Sequence, residues 1–165
     1  MRFSSTIVLS VVYLVFACIG LAGQEYLTKD GKLTHQLKVV QLQGGFAGFT
    51  GVQYTVAPDG AWTSESLFNQ KATPKSKGKL TENDLMKLAA TLAKYEIEKL
   101  PATSGKRPGA NPRTITFEFA GKKMSLVGQT QPKLDASNPT GSVESRFAGI
   151  WDGVVGLLAD KQLPK

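Results

Sequence analysis

The feature that most constrains the fold of this 165-residue chain is a glycine-rich string between two strand-like segments. The string GGFAGFTG, residues 44–51, contains four glycines and two phenylalanines. Glycine adopts backbone conformations that other residues avoid, so the string predicts a tight bend between two strands. Phe46 and Phe49 can anchor that bend to the core, or the bend can offer its backbone to a partner. The GxGxxG spacing of a dinucleotide site is absent.

Strand patterns lie on both sides of the bend. Residues 35–43 and residues 52–56 carry apolar side chains at strand-like spacing. The sequence Pro-Asp-Gly at 58–60 predicts a turn, because proline presets φ and glycine accepts a positive φ. Trp62 then begins a third strand. Residues 66–79 are rich in lysine and turn-forming residues and show no period, so we expect a loop there.

Two later segments predict amphipathic helices. In the first, Thr81 and Asp84 form a capping-box-like start, and apolar residues follow at the spacing of one helix face. In the second, Ser142 is the expected N-cap. The expected buried residues are Leu85, Leu88, Ala89 and Leu92 in the first helix, and Phe147, Ile150, Trp151, Val154, Leu157 and Leu158 in the second.

A β-hairpin is expected between the two helices. Residues 113–119 place three apolar side chains on one face, residues 120–122 turn the chain, and residues 123–128 return. The resulting element order is β-β-β-α-β-β-α. This order predicts an α+β fold with an antiparallel sheet of about 4–5 strands and two helices packed on one face.

The first 23 residues predict a secretory signal peptide. Arg2 supplies a positive charge, residues 7–16 form an apolar run, and the small residues Gly20 and Ala22 fit a cleavage site. An uncleaved anchor is the alternative, although the apolar run is short for a spanning helix. Cys18, the only cysteine, is either discarded with the leader or lipidated, as in a bacterial lipoprotein signal.

The rest of the chain is expected to form one domain. Residues 24–34 are polar and lack a hydrophobic period, so they predict a flexible N-terminal segment. Residues 35–165 form the single domain. We expect a secreted or periplasmic monomer or, if Cys18 is lipidated, a protein anchored to the cell envelope. Contact with the membrane is expected only through the leader or such a lipid anchor.

The chain is basic, with a formal net charge of +7. The basic residues cluster at 71–79 and 105–113, which both read as loops. These lysines and arginines either keep the protein soluble or steer it toward an acidic partner surface. Nucleic acid is not an expected partner, because no aromatic residues alternate with the charges as they do in a stacking groove.

The sequence carries no recognisable catalytic motif. His35 is the only histidine, so a histidine-based metal site is not expected. The nucleophile-elbow, zinc-helix and phosphate-loop motifs are all absent. Glu96 and Glu98 are two residues apart and are expected to be solvated charges at a helix end rather than an acid–base pair. We therefore expect a non-enzymatic protein without a cofactor or metal.

One string resembles a known family. The segment QLQGGFAGF, residues 41–49, is similar to the opening strand and turn of the emfourin family of small protein inhibitors of thermolysin-like metalloproteases. The outline of a helix at 80–102, a hairpin at 113–128 and a terminal helix extends the resemblance over Val39–Leu158. The glycine-rich family turn comprises Gly44, Gly45, Phe46, Ala47 and Gly48.

The resemblance implies a non-catalytic inhibitor that places an exposed loop in a protease cleft. A thermolysin-like cleft favours an apolar residue after the scissile position. Leu67 and Phe68, at the start of the expected loop, are therefore the candidate partner-binding residues, unless they tuck under the sheet edge. The expected function is that of an exported protein-binding domain, with a protease as the candidate partner. The alternative is an envelope-associated structural or interaction domain.

Overall fold

The computed structural model describes residues 23–106 and 110–161, which form a seven-stranded sheet with two helices packed on one face. The sheet order is β4-β3-β2-β1-β6-β7-β5, and every neighbouring pair is antiparallel except β5 and β7. The strands are β1 Leu37–Gly45, β2 Gly48–Val56, β3 Ala61–Phe68, β4 Lys71–Lys79, β5 Thr103–Gly105, β6 Arg113–Phe119 and β7 Lys122–Gly128. The helices are α1 Glu82–Lys94 and α2 Val143–Ala159, with short 3-10 helices at Gln24–Tyr26 and Ile97–Lys99.

The α+β class is confirmed, but the expected strand number and order are wrong. Residues 66–79, predicted to be a loop, contain the end of β3 and all of β4. Residues 103–105, where no strand was predicted, form the parallel strand β5. Nearly all residues of β4 are exposed, so this edge strand needs no apolar alternation and gave no strand signal. Its lysines and Pro74 are typical of a protected sheet edge.

Both predicted helix starts are confirmed. At α1 the Asp84 backbone N–H donates to Thr81 Oγ1 over 3.2 Å, and the Thr81 N–H donates to Asp84 Oδ2 over 3.0 Å. At α2 the Ser145 N–H donates to Ser142 Oγ over 3.0 Å. Each cap satisfies a backbone donor that the first helical turn leaves unpaired.

The core lies between the helices and one face of the sheet. We call this face, which carries Leu37, Val39 and Tyr54, the helix face. Phe117 on this face stacks on Phe147 of α2 with ring centroids 5.1 Å apart, and Tyr54 meets Trp151 edge-on at 6.2 Å. The opposite face, which carries Lys38, Val40 and Leu42 of β1, is called the open face. No element of the described chain covers the open face at its groove.

The segment predicted to be flexible contributes to the core instead. Tyr26 is 5% exposed and Leu33 is 1% exposed. The Leu33 N–H donates to the Pro58 carbonyl over 3.0 Å, which holds residues 24–34 against the β2–β3 turn. Two well-spaced apolar residues carry no periodic signal, so only their tertiary contacts show that the segment is folded.

Hydrogen bonds and an ion pair from basic side chains join the two helices at their ends. Arg146 of α2 is 9% exposed and donates to the carbonyls of Tyr95 (3.0 Å) and Glu96 (2.6 Å), just beyond the last residue of α1. Lys161 lies 2.8 Å from the buried Asp84 carboxylate at the start of α1. The hydrogen bond from Lys161, followed by those from Thr81, outweighs burial and lowers the pKa of Asp84 to about 2.

Candidate functional site

Exposed aromatic side chains gather at one end of the sheet. Among the described residues, five large hydrophobic side chains are exposed, and three of them are phenylalanines near the β1–β2 and β3–β4 turns. Phe46 is 112% exposed, Phe68 51% and Phe49 46%. Exposed large apolar side chains that share one end of a protein surface commonly mark an interaction site. We call this region the hairpin-end surface: Phe46, Phe49, Phe68 and the neighbouring Leu42 and Leu67.

The glycine-rich string forms the β1–β2 hairpin itself. Gly45 pairs with Gly48, and Phe46 and Ala47 form the two-residue turn between them. Gly48 has a φ of +110°, which residues with a side chain rarely adopt. A Cβ atom at this position would also lie 1.9 Å from Asn69 Oδ1. Gly48 is therefore required both by the turn and by the close approach of Asn69.

Asn69 fastens the two neighbouring hairpins together. Its Nδ2 donates to the Ala47 carbonyl over 3.2 Å, and its Oδ1 accepts from the Phe49 N–H over 2.9 Å. The Asn69 backbone N–H also donates to the Phe49 carbonyl over 2.8 Å. We call these three hydrogen bonds the Asn69 clasp. Asn69 sits in the β3–β4 turn with a φ of +46°, a conformation that asparagine tolerates better than most residues.

The β1–β2 hairpin is also held from its other side. The Gly44 N–H donates to the Pro112 carbonyl over 2.6 Å. The Gln43 side chain donates to the Asn111 carbonyl over 3.0 Å and accepts from Arg113 Nε over 2.7 Å. The exposed turn therefore rests on contacts from two directions, which favours one turn conformation.

A groove on the open face adjoins the phenylalanines. Gly51 pairs with Leu42 on one side and with Leu67 on the other, so a residue without a side chain lies between two leucines. A Cβ atom on Gly51 would lie 2.0 Å from the Gln41 carbonyl oxygen, because strands β1 and β2 approach closely here. The hollow has a volume of about 400 Å³, and its apolar lining is Val40, Leu42, Phe49 and Leu67.

The far end of this groove is charged. Lys38, Glu118 and Lys123 line it, and the Lys123 ammonium lies 3.4 Å from the Glu118 carboxylate. At the side of the groove, Gln53 donates to the Glu65 carboxylate over 2.5 Å. The open face therefore changes along its strands from a charged half to an apolar half next to the two hairpin turns.

The two residues predicted to bind a partner lie close to this surface but not in a loop. Leu67 and Phe68 are at the end of β3. Since neighbouring strand residues point to opposite faces, Leu67 lines the groove on the open face and Phe68 lies at the edge of the helix face. They cannot act as one paired anchor on one face of the sheet.

Sequence reasoning missed the prominence of Phe46 and Phe49. Both were candidates for anchoring the bend to the core, yet the structure leaves both exposed. One sequence signal could have indicated the exposure of Phe46. It lies in a two-residue turn, where a side chain projects beyond the ends of both strands. The groove itself could not be recognised, because it depends on the register that brings Gly51 between Leu42 and Leu67.

Two of the titratable residues singled out in the sequence, Glu96 and His35, have separate partners in the structure. No group of three or more histidine, cysteine, aspartate or glutamate side chains within the described ranges could hold a metal ion. Glu96 is 2.7 Å from Lys99, which lowers its pKa, with a smaller contribution from Arg146. A general acid needs the opposite shift. His35 is exposed and meets Phe119 edge-on at 5.6 Å. Cys18 lies outside the described residues.

Comparison with models of known protein families and with curated proteins gave no match for this chain. In the parts of the chain that the structure describes, no helix combines the length and apolarity needed to cross a membrane.

Proposed function

We propose that this protein is an exported, non-enzymatic protein-binding domain that engages its partner through the hairpin-end surface. The observation that carries the proposal is the grouping of Phe46, Phe49 and Phe68 at two turns that are fastened to each other. Aromatic side chains contribute much of the binding energy in protein interfaces. Holding them in one conformation before binding reduces the entropy lost on association.

The shape of the surface favours a protein partner over a small molecule. Phe46 projects fully into solvent, so it can enter a cavity on another molecule. The groove beside it is shallow and open along the sheet, and it is bordered by exposed side chains such as Phe49 and Lys123. A small ligand is usually enclosed over most of its surface, whereas a projection next to a shallow apolar groove complements a cleft.

The proposed partner is a thermolysin-like metalloprotease, which the protein would inhibit. This choice rests on the similarity of residues 41–49 to the emfourin turn. A cleft that prefers an apolar residue suits Phe46 at the tip of a rigid hairpin. Leu67 and Phe68 would then contact the protease beside the cleft rather than inside it. The basic residues of the chain would speed the encounter if the protease surface is acidic.

Titration of a thermolysin-like protease with the domain that starts at Gln24 tests this proposal. We expect stoichiometric inhibition, with the domain intact by mass spectrometry after the assay. Rapid digestion of the domain, or full protease activity at a large molar excess of it, would contradict the inhibitor function.

The alternative function, an envelope-associated interaction domain, is favoured by one further observation. The N-terminal segment contacts the β2–β3 turn, at the opposite end of the sheet from the hairpin-end surface. A nine-residue strand separates these ends by about 30 Å. A tether through Cys18 would therefore leave Phe46 facing away from the membrane.

Mass spectrometry of the exported protein tests this alternative. A lipid-modified Cys18 at the new N-terminus, together with release from the membrane fraction in Cys18→Ser, would support it. An N-terminus at residue 23 or 24 without lipid would contradict it.

A further inference from the structure

We infer that Asn69 is a positioning residue: its clasp holds the Phe46–Ala47 turn so that the turn can occupy a protease cleft without being cut. The inference deepens the proposed function and rests on it for the identity of the partner. It adds a specific residue on a neighbouring hairpin, outside the turn that would enter the cleft.

The clasp uses both polar atoms of one exposed side chain. Asn69 Nδ2 and Oδ1 bind the Ala47 carbonyl and the Phe49 N–H, the two backbone groups that flank Gly48. At an exposed position water could satisfy each of these groups, so such hydrogen bonds add only modestly to the stability of the whole fold. Their main local effect is to restrict the turn to one geometry.

The clasp depends on the residue types at both positions, asparagine at 69 and glycine at 48. Asparagine donates and accepts through one planar amide, and it tolerates the positive φ of 46° that the β3–β4 turn imposes. On the opposite side, Gly48 leaves the space that this amide fills, since a Cβ atom there would lie 1.9 Å from Asn69 Oδ1. Gly48 and Asn69 therefore act as a matched pair across two hairpins.

Restricting the turn has a direct consequence for proteolysis. A protease cuts a peptide bond only after the local backbone adapts to its active site, and in a folded protein that step requires local opening. Opening the Phe46–Ala47 turn requires release of the Ala47 carbonyl and the Phe49 N–H from Asn69. With the clasp intact, the turn can bind in its folded shape while cleavage stays slow.

The matched variants Asn69→Gly and Asn111→Gly test this role. Glycine accepts a positive φ at both positions, 46° and 55°, so the substitution preserves the backbone conformation. Asn69→Gly removes two side-chain hydrogen bonds, whereas the Asn111 side chain makes none within the described part of the chain. A third variant, Asn69→Asp, keeps the acceptor for Phe49 and places an oxygen where the donor to Ala47 was.

Three measurements are made on each variant after its melting temperature has been checked. They are hydrogen exchange of the Phe49 amide, cleavage between Gly45 and Phe49 by the thermolysin-like protease, and the inhibition constant. For Asn69→Gly we expect exchange, cleavage and the inhibition constant each to rise by about tenfold, the loss expected from one or two hydrogen bonds. Asn69→Asp should fall between Asn69→Gly and the parent, and Asn111→Gly should match the parent.

The outcomes separate this inference from the proposed function. If Asn69→Gly is cut no faster than the parent, or if Asn111→Gly changes equally, the positioning role of Asn69 is overturned. If the turn is cut faster but the inhibition constant is unchanged, the role in binding is overturned. If the parent does not inhibit at all, the proposed function fails, and faster cleavage of Asn69→Gly alone would still support the protective clasp.

Discussion

Each end of the sheet has a hairpin turn with glycine in it or beside it, but only one end is covered. At the β2–β3 turn, the Pro58 carbonyl accepts from Leu33 over 3.0 Å and the Gly60 carbonyl accepts from Leu80 over 2.9 Å. At the β1–β2 turn, the neighbouring hairpin holds the backbone, while Phe46 stays fully exposed. The difference shows that turn chemistry sets the hairpin, whereas the surrounding chain decides which hairpin can meet a partner.

The largest expected effect concerns the covered end. Leu33→Ala should lower the free energy of unfolding by about 3 kcal/mol, because it removes a fully buried side chain and leaves a cavity. Chemical denaturation of the parent and the variant measures this loss. A change below about 0.5 kcal/mol, as at a typical surface site, would mean that residues 24–34 are not part of the core.

At the uncovered end, the expected effect is on binding rather than on stability. Phe46→Ala should weaken inhibition of the target protease by roughly 30-fold, about 2 kcal/mol, with an unchanged melting temperature. Met86→Ala is the matched control, since Met86 is 47% exposed on α1, away from the hairpins. Equal inhibition constants for the two variants would show that Phe46 does not contribute to binding.

A smaller effect is expected within the glycine-rich turn. Gly48→Ala should destabilise the fold by about 1–2 kcal/mol, because alanine is strained at a φ of +110° and its Cβ would collide with Asn69. Gly45→Ala is the control, because its Cβ would meet the Gly48 carbonyl oxygen at an ordinary 3.7 Å. Thermal melting of both variants separates the two positions. Similar losses would show that the clasp geometry places no special demand on Gly48.

The smallest effect concerns the contact between Lys161, just after α2, and Asp84 at the start of α1. The Lys161 hydrogen bond lowers the pKa of Asp84 from 3.8 to about 2, so the charged carboxylate favours the folded state. Its contribution is complete above pH 3.8 and is lost as the pH falls through about 2. We expect about 1 kcal/mol, because Lys161 is partly exposed and water screens its charge.

The free energy of unfolding, measured from about pH 5 down to about pH 2, checks the contribution of Asp84. The parent should lose more stability across this range than Asp84→Asn, which cannot titrate at this position. Parallel pH profiles would show that the ion pair with Lys161 does not stabilise the folded state.

Local sequence signals predicted the elements whose residues interact with near neighbours. The capping box of Thr81 and Asp84, the N-cap at Ser142 and the hairpin of β6 and β7 all follow from residues close together in the chain. The bend at residues 44–51 was also predictable, because glycine is strongly favoured where the backbone takes a positive φ, as it does at Gly48. These features depend on short-range sterics and hydrogen bonds.

The candidate site was only partly predictable. Leu67 was identified, but as part of a loop, and its separation from Phe68 by the alternation of β3 could not be seen without the strand. The edge strand β4 has exposed polar residues on both faces, so hydrophobic periodicity, the main sequence signal for a strand, is missing there. Its pairing with β3 depends on backbone hydrogen bonds, which do not require a particular side chain.

The sequence by itself determined the helix caps, the alternation of the buried strands and the position of the glycine hairpin. Only the tertiary structure decided that Leu33 enters the core, that Gly51 lies between two leucines, and that Asn69 reaches the turn after Phe46. The reason is one of distance along the chain. Asn69 and Ala47 are 22 residues apart, and no local preference specifies a contact that exists only once two hairpins have paired side by side.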